Sequence, residues 1–118
     1  MRDDGAYLQL ISESIAPMME YITEMAEEPS LRLFAEDLRT QDAVLRRMEI
    51  LADAASHLSS ALQSRHPDIP WRKISDFRNV LAHAYMEVEL DLVWSVIEED
   101  LPALKALVQK ERDDTSRP

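Results

Sequence analysis

Gly5 is the single glycine among 118 residues. Sheet proteins need glycine at hairpin turns and bulges, where the backbone takes conformations other residues resist. Nucleotide-binding βαβ units need it where backbone approaches phosphate. A chain almost without glycine, and rich in Ala, Leu, Met, Glu and Arg, therefore reads as all-α. At 46% hydrophobic residues it carries enough apolar surface for a core, which excludes disorder throughout. Its length suits one domain and is too short for two ordinary ones.

The absence of cysteine removes disulfide and thiolate chemistry and fits a reducing, cytoplasmic setting. The first ten residues scatter their charges and lack the apolar run of a signal peptide. No stretch approaches the roughly 18 apolar residues of a membrane span. A net charge of −10 argues against broad, charge-driven nucleic-acid binding, so an RNA partner would have to be met at a local basic spot.

Hydrophobic periodicity predicts four substantial amphipathic helices. In the first, from about 4 to 25, Leu8, Ile11, Ile15, Met18, Ile22 and Met25 paint one face, with a kink expected at Pro17. Ser30 is placed to cap a short turn over 31–34. A second long helix is expected from about 38 to 63, its stripe formed by Leu45, Met48, Ala52, Ala55, Ser59 and Leu62. Residues 64–70 carry Pro67 and Pro70 without periodicity and read as a loop. A third helix follows from Trp71 to His83 or Tyr85, and Glu87, Val88 and Glu89 read as a short connection. The last helix, capped by Asp91, buries Leu90, Val93, Trp94, Ile97, Leu101, Leu104 and Val108, with a bend or restart expected at Pro102. From Glu111 the chain reads as a frayed polar tail. The expectation is a single domain over 1–110, a tail over 111–118, and a four- to five-helix up-and-down bundle. The long stripes at 8–25 and 90–108 leave surface for a second subunit, making a homodimer.

The chemistry concentrates in 78–85, where Arg78, Asn79, His83 and Tyr85 crowd barely two helical turns. Asn79 and His83 stand four apart and share a face, so the carboxamide can orient the imidazole. Arg78 and His83 stand five apart, roughly 140° around an ideal helix, and do not point together within one chain. Two copies meeting on a two-fold axis would turn this spacing into a composite site. Arginine holds phosphate and neutralises charge that builds on it. Histidine takes and returns a proton near neutral pH. Together, with no metal-binding carboxylate cluster beside them, they suit metal-free RNA cleavage. The 2′-OH attacks the adjacent phosphorus and leaves a cyclic phosphate. The simpler alternative is an arginine in a surface ion pair and a satisfied histidine. Tyr85, Trp71 and Trp94 read most simply as packing residues, and His57 and His66 as solvated. Asp42, Glu49 and Asp53 read as a wet helix face, and Arg46 and Arg47 as a salt-bridging doublet.

The string Arg78-Asn79-x-x-x-His83-x-Tyr85 resembles the R-x4-H-x-Y motif of the HEPN superfamily, specifically the HepT-like toxins. Residues 42–49 look like that family's second long helix, and Ile69-Pro70-Trp71 like its lead-in to the motif helix. Val93-Trp94, with the run 100–104, resembles its last helix. The likeness covers about 5 to 108. It implies a helical homodimer whose RNA-cleaving site is shared across the two-fold axis, with Arg78 and His83 as the catalytic pair and Asn79 as their polar neighbour. It implies no metal and no cofactor. The RNA substrate would be of a class such as tRNA or mRNA, cut within a toxin–antitoxin system of type II or type VII character.

The resemblance further implies a partner, an MNT-type nucleotidyltransferase antitoxin, which in some members silences the toxin by transferring AMP to the motif tyrosine, here Tyr85. A higher hetero-oligomer of toxin and partner is part of the same expectation. Two departures stand out. Where a G-E-A pattern is expected the chain has Ala52-Asp53-Ala54, so Asp53 would supply a supporting carboxylate with shorter reach. The glycines expected before the motif and after its histidine are replaced by Asp76-Phe77 and Ala84. The alternative from another class is a non-catalytic helical dimer that only binds its nucleotidyltransferase partner; the intact Arg78/His83 pair separates the two.

Overall fold

The computed structural model describes residues 4–82 and 89–116, and all regular structure among them is helical. Helix α1 (Asp4–Met25) buries Leu8, Ile11, Ile15, Met18 and Ile22, the stripe that the three-four spacing predicts. Ser14 joins this buried face because its hydroxyl donates back to the Leu10 carbonyl at 2.8 Å, so no polar group is left unmade. The helix continues through Pro17.

Helix α2 (Leu31–Glu36) runs two residues further than the expected turn. Ser30 caps it, its side chain accepting from the Leu33 amide at 3.2 Å. At its far end the buried Gln41 amide donates to the Phe34 and Ala35 carbonyls at 2.9 and 3.1 Å, closing acceptors that a helix end leaves open. Phe34 is fully buried and packs on Trp94 with ring centroids 5.3 Å apart.

The second long helix is shorter than its periodicity suggests. Helix α3 (Leu38–Ser56) stops at Ser56, and α4 (Ser60–Arg65) starts afresh after a turn at His57–Ser59. The cause lies far away in sequence. The Asp4 carboxylate accepts from the Ser59 amide at 2.8 Å and from its hydroxyl at 2.6 Å. Ser59 is thereby held extended, and its oxygen caps the Leu62 amide at 3.2 Å. The expected stripe position at Ser59 is thus a cap, and the buried face of α3 is carried by Val44, Met48, Leu51, Ala52, Ala54 and Ala55. Leu45 is only half-buried.

Helix α5 (Trp71–Ala82) begins where Pro70 predicts, and Ile74 and Phe77 seat it on the core. The Trp71 indole donates to the Gln63 and His66 carbonyls at 3.2 and 3.0 Å, tying the end of α4 to the start of α5. The expected connection at Glu87 and Val88 lies outside the described residues.

Helix α6 (Leu90–Ser95) is preceded by Glu89 at the cap position, with no side-chain cap bond. Asp91, expected as the cap, lies instead in the first turn, where its charge faces the positive end of the helix. A five-residue π-helical turn, Val96–Asp100, then leads into α7 (Leu101–Ser116). Pro102 explains the turn, since it has no amide to donate and its ring crowds the carbonyl four residues back in a regular helix. The wider turn brings Val96, Ile97 and Asp100 all to the buried side. Asp100 meets the Lys73 ammonium at 2.8 Å; its Oδ2 is buried and receives no aligned hydrogen bond, so charge alone satisfies it.

The chain from Glu111 is not a frayed tail, because α7 continues to Ser116 and Glu111 is buried. Its carboxylate accepts from Arg65 Nη2 at 2.8 Å and from His66 Nε2 at 2.7 Å. His66, expected in solvent, is accordingly buried at 8% exposure. Among the described residues, no helix is long and apolar enough to cross a membrane.

Candidate nuclease site

Ile74 and Phe77 point α5 inward, and the residue after Phe77 leaves the core about 100° further round the helix. Arg78 and Asn79 are consequently exposed on the side of α5 that faces α3. Between the two helices lies an open groove of about 620 Å³. Arg46, Glu49, Ile50 and Asp53 line it from α3, and Ser75, Asp76, Arg78, Asn79 and Leu81 from α5. Among the described residues, two guanidiniums thus face three carboxylates. A groove of that balance does not draw a polyanion along its whole length, and phosphate is favoured only beside the arginines.

Arg46 is partly spoken for by Glu49 at 3.4 Å, the salt-bridging arrangement its sequence position suggests. Arg78 reaches across to the last turn of α3. Its Nη2 donates to Asp53 Oδ1 at 3.0 Å and its Nη1 to Ser56 Oγ at 3.4 Å. Asp53 is therefore more than a wet-face carboxylate; it bonds the arginine singled out from the sequence.

The turn that follows is itself braced. His57 Nδ1 donates to the Asp53 carbonyl at 2.8 Å, and its ring stacks on Tyr7 of α1 with centroids 5.1 Å apart and planes 18° from parallel. His57 is half-exposed, as expected, but not unpartnered. Asp53, Ser56 and His57 follow an i, i+3, i+4 spacing on one helix edge. That spacing is a signal present in the sequence, although Ser56 and His57 each look ordinary one at a time.

His83 and Tyr85, the other two residues of the motif, lie outside the described residues. The groove therefore brings together Arg78, Asn79 and Asp53 of the expected set. In chemical terms it presents a guanidinium with unused donors, anchored along one edge and open to solvent along the other.

Residues 8–111 match the profile of the family described as Ribonuclease HepT-like. A Thermococcus cleftensis protein named a probable ribonuclease HepT is 37% identical over 100 residues, which is 85% of this chain and 91% of that one. A longer Methanocaldococcus jannaschii protein, whose name joins gamma-glutamylcyclotransferase to a candidate RNase, is 34% identical over 109 residues, 92% of this chain and 47% of its own length. A further protein of that organism, named a candidate RNase, is 28% identical over 108 residues, 92% of this chain and 95% of its own. No solved structure is significantly similar. The matched span takes in both walls of the groove and the whole 78–85 motif, and the chain belongs to the Ribonuclease HepT-like family of the HEPN superfamily, as an endoribonuclease of that type.

Proposed function

We propose that the protein cleaves RNA without a metal ion, as the toxin of a cytoplasmic toxin–antitoxin pair, at a site built from Arg78, Asn79 and His83 of two subunits. The observation that carries this reading is the position of Arg78 and Asn79 on the open groove between α3 and α5, where a strand can lie. His83 removes the proton of the 2′-OH, whose oxygen attacks the adjacent phosphorus; the bond to the 5′-oxygen breaks, and that oxygen takes up a proton from the imidazolium or from water. Arg78 offsets the negative charge that builds on the phosphoryl oxygens. The products are a 2′,3′-cyclic phosphate end and a 5′-hydroxyl end. Asn79 fixes the imidazole from one turn away. DNA, without the 2′-OH, is not cut.

The spacing of Arg78 and His83 favours a homodimer in which each catalytic centre takes groups from both chains. Tyr85, two residues past the histidine, is the position at which an MNT-type nucleotidyltransferase partner adds AMP. The added phosphate and nucleoside place charge and bulk where substrate phosphate must sit.

The test uses purified protein and total RNA in EDTA, with the new ends mapped. Wild type yields cyclic-phosphate ends, and Arg78→Ala and His83→Ala each yield none. Mixing the two inactive variants after subunit exchange restores cleavage, because one of the two centres in the mixed dimer is then complete. Cleavage that survives in both single variants refutes the residue assignment, and inactive mixtures refute the shared site.

A further inference from the structure

We infer that Asp53 and Ser56, in the last turn of α3, are positioning residues for Arg78; the inference rests on the reading of Arg78 as the group that binds the scissile phosphate. Asp53 acts twice. Its carboxylate accepts from Arg78 Nη2 at 3.0 Å, and its backbone carbonyl accepts the Ser56 hydroxyl proton at 2.7 Å. With its proton committed there, Ser56 turns lone pairs toward Arg78 Nη1, which lies 3.4 Å away. The guanidinium is held at both terminal nitrogens by one turn of helix.

A guanidinium carries five N–H donors in a rigid fork, so two anchored donors leave three for a phosphate. The C-terminal end of α3 adds its partial negative charge to the same side. The Asp53 charge also repels phosphate from the anchored edge, which leaves the groove side as the direction of approach.

Stability does not account for this arrangement. The Arg78 and Asp53 side chains are 46% and 57% exposed, and ion pairs so open to water contribute little to folding. What the two anchors do provide is a restricted rotamer for a long side chain that would otherwise sample many. Orientation of that kind lowers the barrier for a reaction whose catalysis is positioning and charge stabilisation.

The test measures kcat and KM on a mixed-sequence single-stranded RNA carrying a fluorophore and a quencher, in EDTA, for Asp53→Ala, Asp53→Asn, Asp53→Glu, Ser56→Ala and Arg78→Ala, each checked by thermal melting. Asp53→Ala lowers kcat roughly 10- to 100-fold with KM changed far less, the size of effect expected for a misaimed catalytic group. Asp53→Asn, which keeps shape and loses charge, falls between it and wild type. Asp53→Glu regains most of the rate, and Ser56→Ala loses roughly three-fold, as for one weak neutral bond. Wild-type kcat in folded Asp53→Ala and Asp53→Asn overturns the inference, and so does a loss that Asp53→Glu leaves unrepaired. If Arg78→Ala itself cleaves at the wild-type rate, the parent reading has failed instead. If Arg78→Ala is inactive while Asp53→Ala is fully active, only the positioning role falls.

Discussion

His66 Nε2 lies 2.7 Å from a Glu111 carboxylate oxygen, with the two side chains 10% and 9% exposed. Arg65 completes the contact from the rim at 2.8 Å, more than half exposed. This cluster fastens the end of α7 to the loop before α5. The Arg65 hydrogen bond holds the Glu111 carboxyl below its ordinary range, against the opposing pull of burial, and His66 adds to the lowering.

Because the folded-state pKa of Glu111 is depressed, its stabilising contribution is fully present above the ordinary value of 4.5 and fades as pH falls through the lower folded value. Glu111→Gln removes that acid dependence: melting curves of wild type and variant differ at pH 7 and converge toward pH 3. Glu111→Ala costs about 2 kcal/mol at pH 7, the size expected when one buried partner loses its hydrogen bond, since Arg65 is already in water. For a domain of this size that is about 8 °C in Tm by calorimetry. Equal acid sensitivity in wild type and Glu111→Gln contradicts the assignment.

Ser59→Ala removes both the cap of α4 and the hydroxyl that Asp4 holds. A lost cap is expected to cost about 1 kcal/mol, and the Asp4 carboxylate keeps its bond from the residue-59 amide, so losing the hydroxyl there adds little. Denaturant unfolding should show this as a lower midpoint with an unchanged slope. An unaltered midpoint would mean that the break after α3 does not depend on the cap.

Arg78→Lys should be nearly as inactive as Arg78→Ala. A lysine ammonium lacks the planar fork that reaches two α3 acceptors while leaving donors for phosphate, so a loss of roughly 100-fold or more is expected. Melting temperatures should stay close to wild type, because the ion pair is exposed. Robust cleavage by the lysine variant would show that point charge suffices.

Incubation with an MNT-type nucleotidyltransferase and ATP should raise the protein's mass in whole AMP units, and Tyr85→Phe should abolish the increase. Intact-mass spectrometry decides this. Full modification of Tyr85→Phe assigns the acceptor to another side chain.

The residues that make the fold were legible where the information is local. The three-four stripe of α1, the Ser30 cap and the start of α5 at Trp71 follow from neighbours within one or two turns, and they stand as read. The two largest misreadings share one cause. The end of α3 at Ser56 depends on Asp4, 55 residues from Ser59, and the burial of His66 depends on Glu111, 45 residues away. Neither partner is marked by spacing, so a periodic stripe ran through the break and a charged run looked like a tail. At the groove, Arg78 and Asn79 stood out by residue type, while Ser56 became visible only once α3 was known to end there.

The brace beneath Arg78 has an origin remote from the motif. Asp4 grips Ser59, and Tyr7 lies flat on His57, so the opening turns of α1 clamp the corner from which Asp53 and Ser56 reach out. A chain trimmed through Tyr7 would retain every residue of the motif helix yet lose the footing on which its arginine leans. Chain engineering at the amino end is therefore engineering of the groove between α3 and α5.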